Sequence, residues 1–194
     1  VPGKETRVTE DEYPLHQFVD DLRRLVVGAV DERALLAALR PMARRAALST
    51  GWRDERHYRA HPDQGFGVNV LHDEPDHSLF VVAISWLPGR GAPAHDHGTW
   101  AVIVGVDGPE TNTFWERTDD RSKPDYAELR EIGEKVCEAG DVIALPNGGI
   151  HSVRNESART SLSFHVYGQH LNHARRSQYD PQAKTAAPFR IKTQ

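Results

Sequence analysis

Residues 89–108 read GRGAPAHDHGTWAVIVGVDG, and residues 140–155 read GDVIALPNGGIHSVRN. The first stretch carries His95 and His97 as an H-x-H pair. Side chains two apart on a β-strand share a face, so both imidazoles are expected to point the same way. In the second stretch a short apolar run, Asp141 to Leu145, lies between Gly140 and Pro146, and Asn147-Gly148-Gly149 then makes a tight turn before His151. That turn is expected to deliver a third imidazole beside the first two. His95, His97 and His151 therefore read as a facial ligand set for one metal ion per chain.

The spacing of these residues carries a resemblance. The first stretch has Gly89, five residues, His95-x-His97, three residues, Ala101, six residues and Gly108. The second has Gly140, five residues, Pro146-x-Gly148, two residues, His151, three residues and Asn155. Together they resemble the paired motifs of the cupin superfamily. The resemblance implies a mainly β fold, a jelly-roll barrel or double-stranded β-helix, with N-terminal α-helices packed on its outside. One departure narrows it: where the first motif usually carries a glutamate ligand, this chain has Ala101. A cupin with three histidines and no acidic ligand resembles the thiol dioxygenases, the group of cysteine dioxygenase and 3-mercaptopropionate dioxygenase.

Three neutral imidazoles leave a divalent ion its full charge, so such a site favours anionic ligands at its open positions. Imidazole suits iron, copper, zinc and nickel alike; the resemblance implies Fe(II). It also implies a thiol bound as thiolate and both atoms of O2 ending on sulfur as a sulfinic acid. Ser163, His165 and Tyr167 stand at period two on one strand face. They match the Ser-x-His-x-Tyr relay of thiol dioxygenases, in which Tyr167 would place its hydroxyl near the metal while His165 and Ser163 orient it. Some cysteine dioxygenases cross-link this tyrosine to a cysteine shortly after the H-x-H; Ala101 and Val102 stand there, so Tyr167 is expected unmodified. The early strand at Phe66-Gly67-Val68-Asn69 has neither the arginine of animal-type enzymes nor the glutamine of the bacterial group. In the 3-mercaptopropionate group the carboxylate-binding arginine lies about nine residues beyond the tyrosine, an offset that lands on Arg176. Arg59 is a second candidate for the carboxylate.

Composition bounds the alternatives. A chain of 194 residues is long enough for one domain with a real core. The net charge of -4 argues against a general nucleic-acid binder. No run approaches the roughly 20 apolar residues of a membrane span. The polar start VPGKETRVTEDEYPLHQF is unlike a secretory signal, so a cytoplasmic location is the expectation. Cys137 is the single cysteine, which excludes an internal disulfide and a thiolate-rich metal site.

Along the chain, residues 1–65 are expected to hold a loose arm (1–12) and helices. Leu15, Phe18, Val19, Leu22, Leu25 and Val26 fall at helical spacing, and a second helix capped by Asp31 is expected to break at Pro41. Residues 66–180 read as the barrel, in short runs such as LFVVAISW (79–86) separated by turn clusters. In Thr160 to Tyr167, Leu162, Phe164 and Val166 share one face. Asn172 to Tyr179 is expected to form a short helix carrying Arg176, and 181–194 a tail. Two other functions fit the same motifs: a three-histidine cupin dioxygenase cleaving carbon-carbon bonds, and a non-catalytic ligand-binding cupin.

Overall fold

The computed structural model describes residues 13–61 and 63–193; the expected arm at 1–12 lies outside the described residues. Among the described residues two helices come first, α1 (Leu15–Gly28) and α2 (Glu32–Leu48), followed by a 3-10 turn at Glu55–Tyr58. Eleven strands follow: β1 (Phe66–Asp73), β2 (Phe80–Trp86), β3 (Gly91–His95), β4 (Ala101–Asp107), β5 (Glu110–Arg117), β6 (Leu129–Cys137), β7 (Val142–Leu145), β8 (Ile150–Arg154), β9 (Ser161–Tyr167), β10 (Ser177–Asp180) and β11 (Thr185–Pro188).

These strands form two antiparallel sheets, in the orders β1-β2-β9-β4-β7 and β11-β10-β3-β8-β5-β6. The four-strand cores β2-β9-β4-β7 and β3-β8-β5-β6 interleave along the chain, which passes from one sheet to the other at β2–β3, β3–β4, β4–β5, β6–β7, β7–β8, β8–β9 and β9–β10. This is the winding of a double-stranded β-helix, the cupin fold. β1 extends the first sheet, and β10 with β11 extends the second.

β2, inside the first sheet, is buried on both faces, which is why it reads as an almost unbroken apolar run rather than an alternating one. The sheet's outer face, with Val81, Ala83, Val102, Val104, Leu162, Phe164 and Val166, packs under Phe18, Leu22, Leu36 and Leu39 of the helices. Its inner face, with Phe80, Val82, Ile84, Ala101, Ile103 and Tyr167, meets the second sheet. The alternation in β9 thus divides a structural layer from the barrel interior, as the sequence predicts.

Asp31 caps α2 through its side chain, which accepts from the Ala34 amide at 2.7 Å. The helix does not end at Pro41. It runs on to Leu48 because Leu35, Leu36 and Leu39 before the proline and Ala43, Ala46 and Ala47 after it are all buried on the same side. Packing outweighs the hydrogen bond that proline withholds.

Two expectations near the C-terminus differ from the structure. Residues 172–179 form turns leading into β10 rather than a helix. The segment set aside as a tail pairs as β11 with β10, and the residues after it, Phe189 and Ile191, are buried in the barrel core.

Candidate metal centre

β3 and β8 are paired so that His95 and His151 are Cα partners, which sets their rings 4.7 Å apart. His97 lies beyond the end of β3, so the H-x-H pair is not carried by one strand as expected from its spacing. What places it is Asp96, whose carboxylate accepts from the Gly98 amide at 2.9 Å and the Tyr179 hydroxyl at 2.6 Å. The Asp96 amide also donates to the Ser177 carbonyl at 3.1 Å. Gly98, at φ +64°, completes the turn, where a side chain would strike the Arg175 carbonyl. The His97 ring consequently sits 4.9 Å from that of His95 and 5.1 Å from that of His151.

The turn before His151 is built as the sequence implies. Gly148 takes φ +83° and the Gly149 amide donates to the Pro146 carbonyl at 2.9 Å. Asn155 holds the far end of the motif, donating at 2.8 Å to the carbonyls of both Trp86 and Arg159.

One nitrogen from each of the three histidines lies within 4.8 Å of the others, a group able to hold a metal ion, and it contains no carboxylate. Ala101, in the place of the missing glutamate, is buried against Tyr167 and Leu145. The donor set fits a cation. Burial holds His95 and His97 well below their usual protonation range, and that of His151 falls to about 3, so all three rings present lone pairs. His97 Nδ1 and His151 Nε2 are buried with no hydrogen-bond partner among the described residues, and for His151 a metal ion at Nε2 relieves the cost. The opposite nitrogens are secured where ligation requires it: His95 Nδ1 donates to the Pro93 carbonyl at 2.8 Å and His151 Nδ1 to Asn112 Oδ1 at 2.9 Å.

A cavity beside His95 and His151 takes in His165, Tyr167 and Arg176 of the expected site, but neither Ser163 nor Arg59. It is lined by His95, His151, His165, Tyr167, Arg176 and Phe189 among others and measures about 20 Å³, room for little more than a water molecule before side chains give way. Tyr167 lies 5.1 Å from the His97 ring and its hydroxyl is 2.8 Å from His165 Nδ1, while His165 Nε2 is 2.8 Å from Ser163 Oγ. Burial raises the Tyr167 hydroxyl well above its usual range and holds His165 neutral.

Arg176 is 5% exposed, and its guanidinium lies 4.3 Å over the Phe189 ring. Its Nε and Nη1 are buried without a hydrogen-bond partner among the described residues. Burial lowers it to about 10, so the group remains a cation at neutral pH with donors unanswered. Arg59 is exposed and lines a different cleft, beside Trp52, His57 and Asn69, so the structure does not bring it to the histidines. Of the early strand, Val68 lines the cavity, whereas Asn69 turns away and donates to the His57 and Ala83 carbonyls.

Sequence reasoning missed Asp96, Asn112 and Glu110. Asp96 stands inside the H-x-H, where an acid between two ligands signals a turn clamp. Asn112 and Glu110 had no signal short of the strand pairing that sets them beside His151 and Ser163.

A scan against protein-family models finds no match. Similar solved structures include an oxalate oxidase in complex with the substrate analogue glycolate, with TM-score 0.44, 16% identity, and 60% of this chain and 59% of that one covered. A protein with a double-stranded β-helix domain from Klebsiella pneumoniae gives TM-score 0.46 and 13% identity, with 66% and 96% covered. A Sphingomonas hydroquinone 1,2-dioxygenase with 4-hydroxybenzoate bound gives TM-score 0.45 and 13% identity, with 60% and 72% covered. The chain spans about three-fifths of the length of the oxalate oxidase it matches.

Proposed function

We propose that this chain is an Fe(II)-dependent thiol dioxygenase that converts a small mercapto carboxylic acid and O2 to a sulfinic acid. The observation that carries the reading is Arg176: a buried guanidinium with two donors that lack hydrogen-bond partners, lining the same cavity as His95 and His151. A fixed cation there calls for an anion, and a carboxylate matches its fork. A ferrous ion held by His95, His97 and His151 would supply the redox chemistry that joins O2 to a thiol sulfur.

The chain's own residues do the remainder. Arg176 holds the substrate carboxylate and so fixes where the thiol end reaches. Phe66, Ile84, Val153, Leu171 and Ile191 exclude water from the reacting end. Tyr167, hydrogen-bonded to His165, stands where it can accept or donate a proton at the substrate. The size of the cavity favours the shortest substrates, so 3-mercaptopropionate is the first choice, followed by mercaptosuccinate and cysteine.

The test is oxygen consumption by anaerobically iron-loaded protein given each of these thiols, with mass spectrometry of the product. Thiol-dependent uptake with formation of the sulfinate is expected. Iron-loaded protein that binds metal stoichiometrically yet consumes no oxygen with any of the three would remove the thiol assignment while leaving the metal site in place.

A further inference from the structure

A buried carboxyl stands at the far end of the Tyr167 chain. Glu110, the first residue of β5, is 2% exposed and meets only uncharged partners: Ser163 Oγ at 2.9 Å, Asn112 Nδ2 at 3.3 Å and the Trp86 indole. One unbroken line of hydrogen bonds therefore runs from His151 through Asn112, Glu110, Ser163 and His165 to Tyr167.

The hydrogens on this line can be counted. Ser163 has one hydrogen to give, and the Trp86 indole N–H, 3.1 Å away, occupies one of its lone pairs. Its hydrogen goes either to Glu110 or to His165 Nε2. His165, kept neutral by burial, carries one ring hydrogen. Only two arrangements satisfy every member. With Glu110 as carboxylate, Ser163 donates to Glu110, His165 Nε2–H donates to Ser163, and the Tyr167 hydroxyl donates to His165 Nδ1. With Glu110 as neutral acid every bond reverses, His165 Nδ1–H donates to the Tyr167 oxygen, and the phenol hydrogen turns toward the cavity.

We propose that Glu110 is the positioning residue that sets the direction of the Ser163, His165 and Tyr167 hydrogen bonds, and so decides whether Tyr167 offers the cavity a hydrogen or a lone pair. The hydrogen-bond order stands on the geometry alone; its use on a thiol rests on the proposed function. There, a proton leaving the substrate sulfur for the Tyr167 oxygen is taken up at the other end of the chain. The S–H, Tyr167 O–H, His165 Nε2–H and Ser163 O–H bonds break. New bonds form from hydrogen to the Tyr167 oxygen, His165 Nδ1, Ser163 Oγ and Glu110. The proton thus ends on Glu110, and the sulfur keeps its electron pair as thiolate.

Among the described residues no charged group pairs with Glu110. Cys137 faces it from β6 as a neutral thiol, pushed up to about 12 by burial, and the groups facing it from β2, β5 and β9 are Trp86, Asn112 and Ser163.

Glu110→Gln gives a determinate outcome. His151 ligating through Nε2 keeps its hydrogen on Nδ1, which holds Asn112 Oδ1 and turns Asn112 Nδ2 toward position 110. Glutamine must then offer its oxygen to Asn112 and its amide hydrogens to Ser163, which locks the reversed order. The measurement is the tautomer of His165 by nitrogen-15 NMR of zinc-loaded protein, with the resonances assigned by comparison with His165→Gln. At pH 9 the wild type is expected to carry its hydrogen on Nε2 and Glu110→Gln on Nδ1, with the two nitrogen resonances exchanging places.

The same tautomer in both proteins overturns the inference. Should Glu110→Gln fail to fold, Ser163→Ala supplies a second reading, because it cuts the line and leaves the carboxyl. Wild type is expected to pass from the Nδ1–H to the Nε2–H form as pH rises, and Ser163→Ala to show no such passage; if the variant follows the wild type, the inference fails. The readout needs no turnover, so absence of thiol oxidation would bear on the substrate and not on Glu110.

Discussion

At the residue scale, the site is defined by groups that burial leaves short of partners. Arg176 holds two buried donors without hydrogen-bond partners, and three histidine nitrogens converge with no carboxylate among them; the proposed function rests on these two features. Replacing Arg176 by Met keeps the bulk and removes the charge. A charged hydrogen-bonded contact is worth about 1.5–3 kcal/mol, so KM for a carboxylate-bearing thiol is expected to rise roughly 10-fold or more. A thiol lacking the carboxylate should lose far less, and an equal loss for both would place the carboxylate elsewhere. Tyr167→Phe removes the hydroxyl to which the proposed function gives the proton transfer, and is expected to lower kcat by about 10²-fold with metal content unchanged. Near-wild-type turnover in that variant would point instead to chemistry on a carbon framework, in which the relay is incidental.

At the scale of elements, the centre depends on how β10 and the end of β3 are tied together. Asp96 and Gly98 do this jointly, since the carboxylate takes the Gly98 amide and the Tyr179 hydroxyl while the glycine lies against the Arg175 backbone. Gly98→Ala adds a methyl group to a residue at positive φ and drives it to 2.5 Å from the Arg175 carbonyl oxygen. Metal affinity and substrate KM are both expected to suffer, measured by metal titration and steady-state kinetics. A loss confined to one of them would separate the His97 turn from the Arg176 segment. In α2 the expectation runs the other way. Pro41 is exposed within a continuous helix, and Pro41→Ala restores a backbone donor, so it should stabilise the fold by about 1–3 kcal/mol in urea unfolding. An unchanged midpoint would show that the helix has already adapted around the proline.

At the scale of the whole molecule, folding and metal binding are coupled through proton uptake. His95, His97, His151 and His165 all protonate below 6.5 in the folded chain because burial penalises their charged forms, whereas unfolded imidazoles take up protons near 6.5. Below that pH the unfolded state binds more protons, so stability present above it is lost as pH falls toward the folded values. The metal-free protein is expected to melt progressively earlier between pH 7.5 and pH 5, and bound metal to raise the midpoint at neutral pH. A flat pH profile for the metal-free chain would mean that these rings are hydrated rather than enclosed.

Much of this was legible in one dimension. Strand alternation in Leu162, Phe164 and Val166 separates core from interior, Gly148 marks a turn that needs positive φ, and Asp31 announces a helix start; each is a local backbone or periodicity effect. Ser163, His165 and Tyr167 could be singled out for the same reason, since spacing on one strand fixes which side chains share a face, whereas the three histidines were legible from motif spacing although His97 sits in a turn beyond β3. Other features were decided only in three dimensions. α2 continues through Pro41 because the barrel covers it on both sides of the proline, and residues 177–180 join the second sheet because β3 and β11 flank them. Arg176 became a buried, unanswered cation, Arg59 a surface one, and Glu110 the end of a hydrogen-bond chain, because burial and partnership are set by elements far apart in the chain. Local sequence determines what a backbone segment prefers, but the cost of a charge or an unpaired donor depends on what the fold packs around it.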